Sequence, residues 1–296
     1  MSTKYVDIEQ VQKRMSSRIR KNNLSKYLFL AATMFGLVVL AVLIIRVLTQ
    51  GVTYINWDFL TGHLSTAPER AGIMGAILGT AWLMLIVIPV TMLIGVGTAI
   101  YLELYAKKGK FQSFIATNIS NLAGVPSIVY GLLGLTLFVR ALEFGNVILA
   151  GGLTLSLLVL PIVIVASQEA IRAVPGHLSE ASYGMGATKW QTVKKIVLPA
   201  ALPGILTGSI LALSRAIGET APLTVLGIPA LLIPFPGGLF DTFTALPMQI
   251  YYWTLDSSLI AEYAYLAAAT IIVLLVLLFL LNSIAIIIRN KFQQRY

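Results

Sequence analysis

The sequence predicts an all-α membrane protein with six transmembrane helices and both termini in the cytoplasm, on three observations. The 296 residues are 57% hydrophobic and only 11% charged, with a mean hydropathy of +0.86, whereas a soluble domain carries roughly 25% charged residues. The apolar residues gather into six continuous runs, each able to supply the ~20 residues that a helix needs to cross the hydrocarbon core. The basic residues fall almost entirely on alternate loops. A backbone in lipid must satisfy its own hydrogen bonds, which leaves helices and closed barrels. Barrel strands are alternating segments of about ten residues, unlike these continuous runs.

Taken in order, residues 1–26 form a polar, charged N-terminal arm. It lacks a signal-peptide cleavage pattern, so the first apolar run, Tyr27–Leu48, reads as a retained span, with an external loop to residue 70. Five more spans follow within residues 71–289: Ile73–Ile100, Phe114–Val139, Val147–Ile171, Ala201–Ile228 and Ala261–Ile288, with a tail at 290–296. Pro89, Pro126, Pro161 and Pro222 lie in or near these runs. Membrane helices tolerate such prolines where neighbours or water re-satisfy the freed carbonyls.

Charge sets the orientation. With six spans, both termini share a side with the second-to-third and fourth-to-fifth loops. The arm holds seven basic residues (Lys4, Lys13, Arg14, Arg18, Arg20, Lys21, Lys26) and the second-to-third loop three (Lys107, Lys108, Lys110). The fourth-to-fifth loop holds four (Arg172, Lys189, Lys194, Lys195) and the tail three (Arg289, Lys291, Arg295). Those are 17 of the 21 basic residues. Arg46, Arg70 and Arg140 fall at or beyond the far surface, and Arg215 lies within the fifth span. Positive charge gathers on cytoplasmic loops, so both ends are placed inside.

The net charge of +9 does not imply a nucleic-acid partner. The positive residues are dispersed over four membrane-proximal segments without a nucleic-acid-binding motif, and anionic lipid headgroups suffice as partners. Cysteine is absent, which excludes disulfides and thiolate metal sites. His63 and His177 have no companion ligands, so no metal site is expected.

The fourth-to-fifth loop, about residues 172–199, is a polar insert with a specific pattern. It reads Glu180-Ala181-Ser182, three residues, Gly186, nine residues, then Ile196, Leu198 and Pro199. Small residues around one glycine suit two short helices meeting at a tight turn, because glycine adopts backbone conformations that side chains forbid. Leu178, Met185 and Trp190 add apolar surface beside Lys189, Lys194 and Lys195, and a protruding helix pair of this kind docks into a groove on a soluble partner.

The fifth span carries Arg215-Ala-Ile-Gly-Glu219-Thr-Ala-Pro222. Residues four apart share one helical face, so Arg215 and Glu219 are expected to pair. Arginine at a helix centre in lipid costs at least ~2.5–3.5 kcal/mol, so both should face protein or water. One reading is a packing pair. The other has Arg215 meeting an anionic solute while Glu219 holds the guanidinium, whose planar fork donates two parallel bonds to an oxyanion.

These stretches carry a resemblance. The loop is similar to the E-A-A-x-x-x-G-x9-I-x-L-P loop of ABC importer permeases, with Ser182 in place of the third residue. Arg215 to Pro222 resembles the R-A-I-G-E-T-A-P stretch of phosphate-importer permeases, and Asn121-Leu-Ala-Gly-Val-Pro-Ser-Ile-Val-Tyr-Gly-Leu132 resembles their N-L-A-G-V-P-S-I-V-Y-G-L. The third-span stretch and the Thr-Ala-Pro after Glu219 resemble the PstA type rather than its PstC sister. The resemblance covers about Ala71 to the C-terminus and implies a type I, MetI-like permease fold for residues 71–289.

By the same resemblance the partners are a PstC-type second permease subunit, a PstB-type ATP-binding dimer and an extracytoplasmic PstS-type phosphate-binding protein, in a bacterial inner membrane. The loop would insert a coupling helix into the ATPase, with Glu180, Ala181, Ser182 and Gly186 setting its geometry. The contact surface would lie between Tyr183 and Trp190. No G-x-x-x-x-G-K-[ST] phosphate loop is present, so ATP and Mg would be bound by the partners. The chain would carry no catalytic residue and no cofactor of its own.

Four further features have open readings. Arg172, after Gln168 and Glu169, is either a snorkelling interfacial arginine or a guide for phosphate leaving the pathway. Glu103 is expected to pair with Lys107 at the surface. Trp57, Tyr251, Tyr252 and Trp253 lie near outer interfaces, where aromatic belts are ordinary. Two placements fit the apolar external loop Pro229-Ala-Leu-Leu-Ile-Pro-Phe-Pro-Gly-Gly238: against a binding protein, or dipping back into the membrane. Two other functions share parts of this pattern. A permease for molybdate, tungstate or sulfate would keep the loop and an arginine, and an ion-coupled secondary transporter would use Arg215 and Glu219 without an ATPase. The loop and the lack of visible internal repeats count against the latter.

Overall fold

A computed structural model describes residues 8–229 and 234–292. Lys4, Arg295 and residues 230–233 of the external loop therefore lie outside the described residues. The chain divides into two compact units, Met1–Gln50 and Gly51–Tyr296. The first is a single long helix, α1 (Ile8–Gly51, ending at the unit boundary), so much of the N-terminal arm is helical and continuous with the first span.

The second unit begins with a 3-10 turn at Val52–Tyr54 and the short α2 (Trp57–Thr61), whose Asn56 cap accepts from the Phe59 amide at 2.7 Å. Helix α3 spans Met74–Tyr105 and contains π-helical turns at Met92–Val96 and Tyr101–Tyr105. There follow α4 (Lys110–Leu122), α5 (Ser127–Ala141), α6 (Ile148–Arg172), α7 (Gly176–Gly184) and α8 (Lys189–Gly218). The chain ends with α9 (Ala221–Val225), α10 (Leu246–Asp256) and α11 (Glu262–Phe292). Among the described residues five helices are long and apolar enough to span, or six when the bent pair α4–α5 counts as one.

Helix α6 is central, packed between α3 and α8. In lipid the apolar effect does not drive helices together, so close van der Waals packing through small residues has to do so. The sequence supplies them. Gly152 lies against Ile86 of α3, and Gly204 and Gly208 of α8 lie against Ala170 and Ala166. Leu83, Val87, Leu155, Val159, Val163, Ala212 and Ala216 are buried where these helices meet.

Two predicted spans are interrupted, and proline explains both. The third turns through 101° between Leu122 and Ser127. Pro126 has no N–H for the Leu122 carbonyl four residues back, and its ring clashes with that carbonyl. The carbonyl is re-satisfied by two donors, the Val125 N–H at 3.0 Å and the Tyr130 hydroxyl at 2.8 Å. The fifth span was expected to run to Ile228, but its helix ends at Gly218. Pro222 stands in the same relation to the Gly218 carbonyl, and Glu219 turns to an extended ψ of 121°.

The external segment before α10 dips inward. Phe243, Thr244, Ala245, Leu246 and Met248 are almost wholly buried, and the Phe243 ring rests on Gly151 and Leu83. Ile148 N–H donates to the Asp241 carbonyl at 3.1 Å and Leu149 N–H to the Leu239 carbonyl at 2.9 Å. The first turn of α6 thereby satisfies orphan donors and ties the segment down.

Candidate functional site

Arg215 sits in the last turn of α8, and Glu219 is the first residue past its end. The expected pair forms: Arg215 Nε donates to Glu219 Oε1 at 2.9 Å. The expectation of a shared face on a continuous helix is corrected, since the carboxylate reaches back from the break. The Glu219 side chain is 15% exposed and that of Arg215 48%. The carboxylate is therefore an internal strut, while about half of the arginine side chain remains exposed. Beside it, the Ser214 hydroxyl donates to Asn282 Oδ1 at 2.7 Å, linking α8 to α11.

The two motif stretches of the third and fifth spans meet in space. Helix α9, which follows Glu219, packs on α5, with Gly131 directly against Pro222. The segment that carries Glu219 is thus braced by the segment after the 101° break.

Arg172 is enclosed by carboxylates. Its Nη2 bonds Glu103 Oε1 at 2.6 Å and its Nη1 bonds Glu169 Oε1 at 2.8 Å. Gln168 Nε2 also donates to Glu103 Oε1, at 3.0 Å. The expected Glu103–Lys107 pair is not formed. Glu103 lies in a π turn and the chain leaves the helix at Ala106, where ψ is 137°, so Lys107 is not on the glutamate's face. Sequence reasoning missed Glu103 as the shared partner of Arg172 and Gln168, and Asn282 as a partner of Ser214. Partners 65 to 69 residues away leave no local spacing signal. Among the described residues no ion pair joins the Arg172 group to the Arg215 pair.

The loop between α6 and α8 takes the two-helix form expected of it. Helix α7 ends in a Schellman motif: Ala187 N–H donates to the Ser182 carbonyl at 3.1 Å and Gly186 N–H to the Tyr183 carbonyl at 2.9 Å. Gly186 has φ +83°, the left-handed conformation that this motif requires and glycine adopts freely. Thr188 and Gln191 then form a reciprocal capping box that starts α8.

The Ser182 and Thr192 hydroxyls lie 2.9 Å apart across the turn, so the Ala-to-Ser departure adds a brace. Glu180 and Ala181 are exposed on α7. Tyr183, Met185 and Trp190 are exposed too, Met185 by 90%, beside a cleft of about 550 Å³ lined by Ser182, Gly186 and Lys195. Large apolar side chains are thus held open on a rigid, capped turn.

Broken spans around one central helix, together with a capped helical loop on the basic face, define an integral-membrane permease. The family model described as binding-protein-dependent transport system inner membrane component matches residues 91–295, and the chain belongs to that family. Among curated relatives, YqgI of Bacillus subtilis (strain 168), named as a probable ABC transporter permease, is 36% identical over 200 residues, covering 66% of this chain and 68% of its own. The phosphate transport system permease protein PstA of Mycobacterium leprae (strain TN) is 36% identical over 236 residues, 78% and 77% of the two chains. PstA of Yersinia pestis is 31% identical over 286 residues, 96% and 95%.

Solved structures share the fold. An alginate ABC importer chain aligns with a TM-score of 0.65 at 15% identity, over 95% of this chain and all of that one. A chain of the inward-facing MetNI methionine transporter aligns at 0.59 and 19% identity, over 75% and 96%. The architecture is that of type I ABC importer permeases.

Proposed function

We propose that this chain is the PstA-type permease subunit of an ATP-driven phosphate importer in a bacterial inner membrane. In this reading it forms half of the translocation pathway. A PstC-type subunit forms the other half, a PstB-type ATPase pair docks on the α7 turn, and a PstS-type binding protein delivers phosphate outside. The half-exposed Arg215 side chain at the broken end of a spanning helix carries the proposal. An arginine at membrane depth cannot face lipid without a large penalty, so its open half suits a watered interface between two permease halves. Glu219 holds one edge of the fork and lowers the net charge, which keeps the empty pathway from retaining an anion. The free Nη edge can donate to a phosphate oxygen. The names of the PstA relatives support phosphate over other oxyanions.

In this mechanism the exposed Tyr183–Trp190 surface sits in a groove of the ATPase, and nucleotide-driven closure moves α7 and the start of α8 together. Because α8 forms one span from Lys189 to Gly218, with a π turn at Val193–Val197, the displacement reaches Arg215 as rigid-body motion. ATP and Mg²⁺ belong to the partner subunits.

The test is ATP-dependent uptake of labelled phosphate into proteoliposomes holding the full complex, with wild type against Arg215→Gln. A hydrogen bond to a charged group is worth about 1.5–3 kcal/mol, so uptake should fall by roughly 10- to 100-fold with the complex still assembled. Undiminished uptake returns the pair to a packing role. Uptake of molybdate or sulfate but not phosphate by wild type would reassign the substrate.

A further inference from the structure

Where α3 ends and α4 begins, on the face that carries the basic loops, the chain forms a cleft of about 600 Å³. Tyr101, Tyr105 and Phe111 wall it, and Lys107, Lys108 and Lys110 line it. All three lysines are exposed, and none is in an ion pair among the described residues. Glu103, the one acid nearby in sequence, is already committed to Arg172 and Gln168. The two walls are held together, since Gln112 Nε2 donates to the Leu102 carbonyl at 3.4 Å. The cleft is therefore a preformed cationic cup. Its aromatic flank is open as well, with Tyr101 60% and Phe111 76% exposed.

We propose that this cleft binds the phosphate headgroup of an anionic membrane phospholipid, with the lysines around the phosphate and the upper acyl chain along Tyr101 and Phe111. Two features favour a lipid over a soluble oxyanion. The cleft joins the ends of two membrane segments, which places it at headgroup level, and a bare phosphate gains nothing from exposed aromatic walls that suit the interface. The site also adjoins the loop that docks the ATPase in the function proposed above. The Lys189 ammonium lies 4.8 Å from the centre of the Tyr105 ring, so a bound headgroup stands one side chain away from that loop. The lipid inference itself does not depend on which solute is carried.

The test is native mass spectrometry of the purified importer complex titrated with phosphatidylglycerol or phosphatidylcholine. Wild type is compared with the triple variant Lys107→Gln, Lys108→Gln, Lys110→Gln and with Phe111→Ala. Each basic residue near a charged headgroup contributes about fivefold in affinity, so the triple variant should bind phosphatidylglycerol on the order of a hundredfold more weakly. Phe111→Ala should weaken phosphatidylglycerol while leaving glycerophosphate, which has no acyl chain, unchanged. If the triple variant does not assemble, Lys108→Gln alone is read for the fivefold loss. Equal phosphatidylglycerol binding by wild type and variant overturns the proposal, as does equal binding of phosphatidylcholine. Displacement of the lipid by millimolar inorganic phosphate makes it a soluble-anion site and overturns the lipid assignment.

Discussion

Gly131 lies so close to Pro222 that a methyl group placed on it would stand 2.8 Å from the Pro222 Cα and 3.0 Å from its carbonyl oxygen. Neither atom can rotate away. The contact joins the segment after the break in the third span to the segment after the break in the fifth, three residues beyond Glu219. Gly131→Ala should therefore push α5 off α9 at a cost of about 1–3 kcal/mol, typical of overpacking. A lower thermal midpoint of the assembled complex and reduced uptake are the expected readings. An unshifted midpoint would show that the break is braced elsewhere.

Tyr130→Phe removes the donor to the Leu122 carbonyl but leaves the ring, which is 7% exposed. The Leu122 carbonyl keeps its bond from the Val125 N–H, so the loss is that of one hydrogen bond, about 0.5–1.5 kcal/mol. Amide hydrogen exchange in α4 and α5 should quicken, with little change in α6. Exchange that rises equally in all three helices would point to global loosening instead.

Gly186→Ala places a side chain at φ +83°, where non-glycine residues pay about 1–2 kcal/mol. Gly186→Asn should be milder, because asparagine tolerates this region better. Co-purification of the ATP-binding subunit measures the effect, with retention expected in the order glycine, asparagine, alanine. The same retention for all three would separate the turn from the docking surface.

Glu103 is the more buried partner of Arg172, its side chain being 13% exposed against 49%. Removing Arg172 leaves that carboxylate under-compensated, whereas removing both charges does not. Arg172→Gln should thus destabilise more than the double variant with Glu103→Gln. Solvent at the arginine limits the difference to about 1 kcal/mol. Thermal midpoints of the four members of the cycle give the sign, and a double variant less stable than either single one rejects this picture.

What the sequence determined by itself follows from rules that act over a few residues. Hydropathy located the apolar runs, and alternating charge gave their orientation. The E-A-S-x-x-x-G spacing placed a tight glycine turn between two short helices, and the turn proved local because the Schellman motif that forms it joins six neighbouring residues. The Arg215–Glu219 pair was legible for the same reason, being four residues apart.

The tertiary structure decided the rest. Prolines at 126 and 222 announced weak points, but a proline can kink a span or break it, and the outcome depends on what captures the freed carbonyl and what packs into the gap. Tyr130, together with the Val125 N–H, captures the first, and the Gly131–Pro222 contact braces the two broken segments against each other. Likewise, the partner of Glu103 was set by the packing of α3 on α6 rather than by Lys107, the nearest opposite charge in the sequence. A π turn swung Glu103 inward and ended the helix before Lys107. A charge pairs with whatever the fold carries to within 3 Å of it, and across more than sixty residues only the packed helices specify what that is.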